Sequence, residues 1–461
     1  MAARRLRAGE NVSAMSAAPF SATVPALPAT ELSSLANGVR MVVLPMPHLA
    51  TCCASVFVRS GSAHEPRPLA GIGHFIEHMA FKGTATRDAH RINLDAEGLG
   101  AEVLAHTDKD HTAFQMRGLA AHACEFVHML GDIVLRPTFP ADELERERQV
   151  VLHEFAEVED DPMNAAYRLF DHACFGLHPA AQPVIGTRAR VERLSRDDLL
   201  GYVRRQYTGP NIVVAVAGGV DAHAIARAVE EAFADAPAGT PHRVEPPTYR
   251  GGLRARAFPG SGQAHILIGG ALPPLTAADE TGPVAAAVLG EGVSSPLLQR
   301  VREQRPLAYH ATSAADVLPF CGQFVVEGST SPELLEDFAL EVADLLRRHA
   351  DGVAQVELQR AVQQLRVRRL RVLESPLQRL EEAALEVFCT DGVRDVGERL
   401  RMLEAVDAEA VRATFERLLA EGISAVAVGS VGRAAGEKLE RAIGLQAKTR
   451  ATRVQRARLQ A

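Results

Sequence analysis

Three residues in the stretch Gly71-Ile-Gly-His-Phe-Ile-Glu-His-Met-Ala-Phe-Lys-Gly83 constrain this chain most: His74, Glu77 and His78. They spell His-x-x-Glu-His, the reverse of the commoner zinc-peptidase order His-Glu-x-x-His. On a helix, residues four apart stand one above the other, close enough for two imidazoles to grip one metal ion. Glu77 lies about 60° round the same face from His74, at ~100° per residue, so its carboxylate can reach a water in the metal's open position. Two imidazoles, one carboxylate and one water around zinc are the arrangement that hydrolyses peptide bonds. A lone histidine on an amphipathic helix is ordinarily packed or solvated, but two at helical spacing around a Glu are far rarer.

Downstream, the run from Pro140 to Glu159 reads as a helix. It starts after a proline, carries acidic residues in its first turn, and has apolar residues at Leu144, Val151, Leu152 and Phe155. Glu147 and Glu154, seven apart, share a face two turns apart. A solvated acidic helix is the plain reading of such a run, and it stands for Glu143, Glu145, Glu157 and Glu159.

Residues 36–155 resemble the catalytic half of the pitrilysin (inverzincin) family, in its short branch of mitochondrial processing peptidase β-subunits and bacterial relatives. Leu35-Ala-Asn-Gly-Val-Arg-Met-Val-Val43 is similar to that family's opening strand, and Gly73-His-Phe-Ile-Glu-His-Met-Ala-Phe-Lys-Gly-Thr84 matches its zinc motif almost letter for letter. The resemblance implies a third zinc ligand in an Arg-Glu-Arg-x-Val-x-x-x-Glu run, here ending at Glu154, and a supporting carboxylate seven residues earlier, Glu147. It thus implies one zinc per chain on His74, His78 and Glu154, with Glu77 as a general base that does not touch the metal. Chemically, two neutral imidazoles and one carboxylate leave zinc positive enough to acidify a bound water toward a pKa of roughly 7. Glu77 can take that water's proton and pass it to the leaving amine.

The stretch Ala236-Pro-Ala-Gly-Thr-Pro-His-Arg-Val-Glu-Pro-Pro-Thr-Tyr-Arg-Gly-Gly252 reads as an inter-domain linker. Before it, strand-like runs (40–45, 53–59, 212–217) alternate with helical segments. After it, an apolar strand restarts at Gln263, and helices are expected at about 282–303 and 332–350. The second half repeats the first half's order weakly but has no His-x-x-Glu-His. The expected class is α+β: two homologous layered domains, each a mostly antiparallel sheet with helices on one face. The expected division is a disordered extension (1–29), a zinc-bearing domain (30–235), the linker (236–252), a second domain without zinc (253–445) and a basic tail (446–461).

In the second half, Ser294-Ser-Pro-Leu-Leu-Gln-Arg-Val-Arg-Glu-Gln-Arg-Pro-Leu-Ala-Tyr309 resembles the family segment whose Arg and Tyr hold the substrate backbone beside the zinc, here Arg302 and Tyr309. A guanidinium and a phenol supply donors where oxyanion charge develops. In the short-chain branch the pair faces the zinc of a partner subunit, so the resemblance implies a homodimer, or a heterodimer with a homologous subunit, enclosing a chamber that admits peptides or unfolded segments. Gly98 to Thr112 resembles the family's edge strand, which pairs with substrate backbone through Leu104, Ala105, His106 and Thr107. Leu104 stands where the family has Asn, so that side-chain contact is lost. His106 and His111 are expected to serve the strand or loop structurally.

Two departures narrow the substrate. Processing peptidases carry acidic residues just after the third ligand to receive a substrate arginine, where this chain has Asn164 and Arg168. The glycine-rich loop of their companion subunit has no counterpart in the short Gly290-Glu-Gly-Val-Ser-Ser295. The resemblance then fits a bacterial peptide-degrading or precursor-trimming enzyme better than presequence processing. A non-catalytic homologue, as in the respiratory cytochrome complex, typically loses a motif residue, and none is missing here.

A net charge of −7 argues against nucleic acid as the main partner, and no apolar run approaches the ~18–20 residues of a membrane span. Six scattered cysteines without a Cys-x-x-Cys pair indicate neither a cysteine zinc knuckle nor a disulfide framework, and suit a reducing compartment. With an Arg-rich start but no apolar signal core, the bacterial cytoplasm is expected rather than the mitochondrial matrix.

Overall fold

The computed structural model describes residues 28–444. Most of the expected N-terminal extension (residues 1–27) and the basic tail (446–461) lie outside the described residues.

The first sheet comprises β1 (Glu31–Ser34), β2 (Arg40–Pro45), β3 (Thr51–Val58), β4 (Glu102–Thr107), β5 (Thr112–Leu119) and β6 (Ile212–Gly218), in the order β1-β2-β6-β3-β5-β4. Only β2 and β6 run parallel. The second sheet, β7 (Leu253–Ala257), β8 (Ala264–Leu272), β9 (Ala308–Leu318), β10 (Cys321–Thr330) and β11 (Ser424–Gly429), is ordered β7-β11-β8-β10-β9, with β7 and β11 parallel. That order superposes on β2-β6-β3-β5-β4, so the weak sequence repeat is a repeat of topology.

Helices cover each sheet according to strand alternation. In the first half, Val56, Val58, Phe114, Val214 and Val216 point to one face. There they meet α1 (Ile72–Ala80), α2 (Ala123–Leu135) and later α5 (Ala222–Phe233) in one core. Between α2 and α5 come α3 (Ala141–Asp160) and α4 (Pro162–Phe175). In the second half, Ile266, Ile268, Phe324, Ala425 and Ala427 meet α6 (Thr281–Gly290), α7 (Leu335–Asp351) and, beyond α8 (Pro376–Thr390), α9 (Ala408–Glu421). The fold is α+β and layered, as the sequence indicated.

The opposite sheet faces are covered too, and by an exchange. Val42, Phe57, Val213 and Ala215 of the first sheet pack on Leu380, Ala383, Ala384 and Val387 of α8, which belongs to the second half. Conversely, Ala166, Phe170 and Cys174 of α4 pack on Leu267, Val325 and Val426 of the second sheet. Helices on one face describes each half alone; the two halves supply each other's second layer. Gly269 allows the fit, since a Cβ there would sit 1.7 Å from the Phe324 carbonyl and 3.2 Å from the Phe170 ring.

The helix expected over 282–303 is broken. It ends at Gly290, turns through Gly292 at φ +84°, and resumes as a short turn at Pro296–Leu298 and a π-helical turn at Gln299–Gln304. Glycine's tolerance of positive φ and proline's missing amide account for the break. Residues 236–252 hold neither helix nor strand but are fastened down: Gly209 donates to Pro237, His242 to Asn211 and Arg250 to Cys174. All six cysteines are free thiols, and no described helix is long and apolar enough to cross a membrane.

Candidate functional site

The short helix α1 carries His74, Glu77 and His78, and it is held at its start by a residue that periodicity did not single out. Gly71, at φ +92°, caps the helix, and its amide donates to the Glu65 carboxylate at 2.6 Å, as does the Gly73 amide at 2.8 Å. A carboxylate at a helix N-terminus satisfies orphan amides and complements the helix dipole. Burial pushes Glu65 up to about 7, against the lowering effect of those two amides. The only available signal was an acidic residue just before a helix whose first turn holds none.

Helix α3 lies beside α1. Arg148, buried on α3, stacks over the Phe75 ring of α1 at 5.5 Å and donates to the carbonyls of Val191 and, at 2.7 Å, Leu194. This fixes the two helices and brings Glu154 to the histidines. His74 Nε2 is 3.5 Å from Glu154 Oε1, and His78 Nε2 is 3.3 Å from Glu154 Oε2. The two rings stand 4.7 Å apart at 70°, and one donor atom from each residue falls within 4.8 Å of the others.

This donor set fits zinc. Bonds of about 2.0–2.2 Å at tetrahedral angles separate neighbouring donors by roughly 3.3 Å. The electrostatics agree: burial opposes a charge on His74, yet the Glu154 carboxylate outweighs it and raises the histidine's pKa. Glu154 is held below the usual carboxylate range, chiefly by its bond to His74. His74 Nδ1 is buried with no hydrogen-bond partner among the described residues, and Nε2 is the nitrogen that faces Glu154.

Glu147 lies behind His78, with Oε2 3.2 Å from Nδ1 and Oε1 2.6 Å from Lys82 Nζ. A proton held at Nδ1 leaves Nε2 with a free lone pair facing Glu154. Glu77 takes a 2.7 Å hydrogen bond from the Thr107 hydroxyl at the end of β4, which fixes one carboxylate oxygen. Among the described residues, strand β4 pairs only with β5, at the edge of its sheet. Leu104 is exposed there, and Ala105, His106 and Thr107 are half-buried.

Arg302 and Tyr309 are not brought to this cluster. Arg302 in the π-helical turn pairs with Glu303 at 2.8 Å, and Tyr309 at the start of β9 is 89% exposed. Among the described residues, no hydrogen bond or ion pair joins either one to His74, Glu77, His78 or Glu154. Asn164 and Arg168 lie on α4, with Asn164 exposed.

The pattern of the family described as Insulinase (Peptidase family M16) matches residues 40–188, and that of the Peptidase M16 inactive domain matches residues 193–365. An uncharacterized zinc protease of Mycobacterium bovis is 33% identical over 88% of this chain and 96% of its own length. The chain belongs to the M16 peptidase family. In fold it is similar to a peptidase M16 inactive domain from Pseudomonas fluorescens, at a TM-score of 0.79, 23% identity and coverage of 87% of this chain and 98% of that one. A protease from Helicobacter pylori is equally similar, with a TM-score of 0.79, 20% identity and coverage of 87% and 100%.

Proposed function

We propose that this protein is a zinc-dependent endopeptidase acting on peptides or unfolded precursor segments. The observation that carries the reading is the convergence of the His74, His78 and Glu154 donors beside a Glu77 already oriented by Thr107. One zinc per chain would sit on His74, His78 and Glu154. When bound, it supplies Lewis-acid polarisation of the scissile carbonyl and acidification of a water. Glu77 takes the proton from the attacking water and returns it to the leaving amine. Glu147 holds the His78 proton at Nδ1. The free edge of β4 pairs with substrate backbone, which positions the peptide without demanding one sequence.

Arg302 and Tyr309 serve the site of a partner subunit. The exposure of Tyr309, and the lack among the described residues of a bond from either residue to His74, His78 or Glu154 of their own chain, support this. A homodimer then contains two composite sites, each with zinc from one protomer and the Arg/Tyr pair from the other; a homologous second subunit could fill the same role. Mixed dimers of Glu77→Gln chains with Arg302→Ala/Tyr309→Phe chains rebuild one complete site and are expected to recover part of the activity that each parent lacks. No recovery in a verified mixed dimer refutes the shared site. Free thiols at all six cysteines favour a reducing compartment, the bacterial cytoplasm.

A further inference from the structure

The β4–β5 hairpin carries a second pair of histidines that hydrolysis does not use. His106, near the end of β4, and His111, just before β5, turn their Nε2 atoms toward each other at 3.2 Å, with ring planes 87° apart. Two nitrogens sharing one tetrahedral first-row ion sit roughly 3.3 Å apart. His111 is buried, and its Nδ1 lies 2.9 Å from the buried Asp110 carboxylate. A histidine that gives its Nδ1 proton to a carboxylate presents its Nε2 lone pair outward, the orientation that metal-ligating histidines show. Asp108 completes the group, with its carboxylate donor and those of His106 and His111 within 4.8 Å of one another. It is exposed, so one side of the cluster is open to solvent.

The surroundings reinforce the geometry. The acidic groups that face His111 are Asp110, Asp108 and Glu381, so the carboxylates around the histidine pair are all on the side of a cation. The one lysine of the turn, Lys109, is drawn away by Asp171 at 2.6 Å. The turn is also preformed, since Ser62 and Ala63 donate to the carbonyls of Asp108 and Lys109 at 3.0 and 2.9 Å. Gly61 approaches so closely that a Cβ there would lie 2.3 Å from the Asp108 carbonyl. Little ordering is left for a ligand to impose.

We propose that His106, His111 and Asp108 form a second site for a divalent first-row transition metal, separate from the His74/His78/Glu154 set. Two imidazoles and one carboxylate suit Zn2+, Co2+ or Ni2+ rather than Mg2+ or Ca2+. Strand alternation puts His106 on the face of β4 opposite Thr107, so the two metals share the substrate-pairing strand from its two sides. An ion here pins the end of the edge that receives substrate.

Cobalt is the probe, because tetrahedral Co2+ absorbs in the visible. Equilibrium dialysis and absorption spectra would be recorded on the full chain, on His78→Ala/Glu154→Ala, and on that double variant with His106→Phe or Asp108→Asn added. His106 is only half-buried, so phenylalanine can occupy its place, and circular dichroism checks the fold of each variant. The expected result is about two Co2+ per wild-type chain, about one in the double variant, none after adding His106→Phe, and weakened binding after adding Asp108→Asn. A folded double variant that binds no Co2+, or one that keeps its ion after His106→Phe, overturns the second site. Neither result bears on the first set, whose ion is counted as the difference between wild type and double variant.

Discussion

Truncating Glu147 should loosen zinc without touching the chemistry. Its carboxylate is nearly buried and joins His78 Nδ1 at 3.2 Å to Lys82 at 2.6 Å, so solvent screens the contact little. Removing a partner of this kind typically costs 10–100-fold in metal affinity, about 1.4–2.7 kcal/mol. Glu147→Gln keeps an oxygen that can accept the His78 proton but loses the charge, and belongs near the tenfold end. Glu147→Ala loses both and belongs near the hundredfold end. The assay is zinc competition against a chelating dye, followed by peptide hydrolysis at saturating zinc, where activity should largely return. A Kd for Glu147→Ala within about twofold of wild type would refute the orienting role, as would lost turnover at full occupancy with Kd unchanged.

Because each half packs a helix on the sheet of the other, the two halves are expected to unfold together. Phe170→Ala, at a fully buried site against Gly269, should cost about 3–5 kcal/mol in urea unfolding of the zinc-free chain. A loss below about 1 kcal/mol would mean that α4 contributes little to the second half. His64 gives a pH signature, since burial, followed by the neighbouring His242, depresses it from 6.5 to about 4. Its contribution is complete above pH 6.5 and is lost as pH falls toward 4, because the unfolded chain takes up a proton that the folded chain does not. His64→Gln should therefore reduce the drop in unfolding free energy between pH 7.5 and 4.5, measured in EDTA, by roughly 2–3 kcal/mol. Identical pH profiles would rule this out.

What the sequence made legible is what short-range periodicity encodes. His74 and His78 stack because they are four apart, Glu147 and Glu154 share a face because they are seven apart, and the run 212–217 reads as a strand because it is wholly apolar, within the observed Ile212–Gly218. The match between the two sheets followed from a faint repeat. Choice of partner was not legible. An amphipathic face on α4 or α8 announces that something covers it, but not that the cover is the sheet of the other half. Glu65 escaped because its role is to meet two amides in three dimensions, with no spacing rule behind it. The break after Gly290 was foreshadowed by Gly292 and Pro296, which an apolar helical pattern had overshadowed.

The central claim is that this chain hydrolyses peptides with a metal held by its first half. The most direct measurement is zinc content of the purified wild-type and Glu77→Gln chains, together with cleavage of a quenched peptide library with and without chelator. Metal is expected in both chains, and chelator-sensitive cleavage in wild type alone. Wild type that holds no zinc on the His74/His78/Glu154 set, or cleavage that survives chelation or Glu77→Gln, would contradict it.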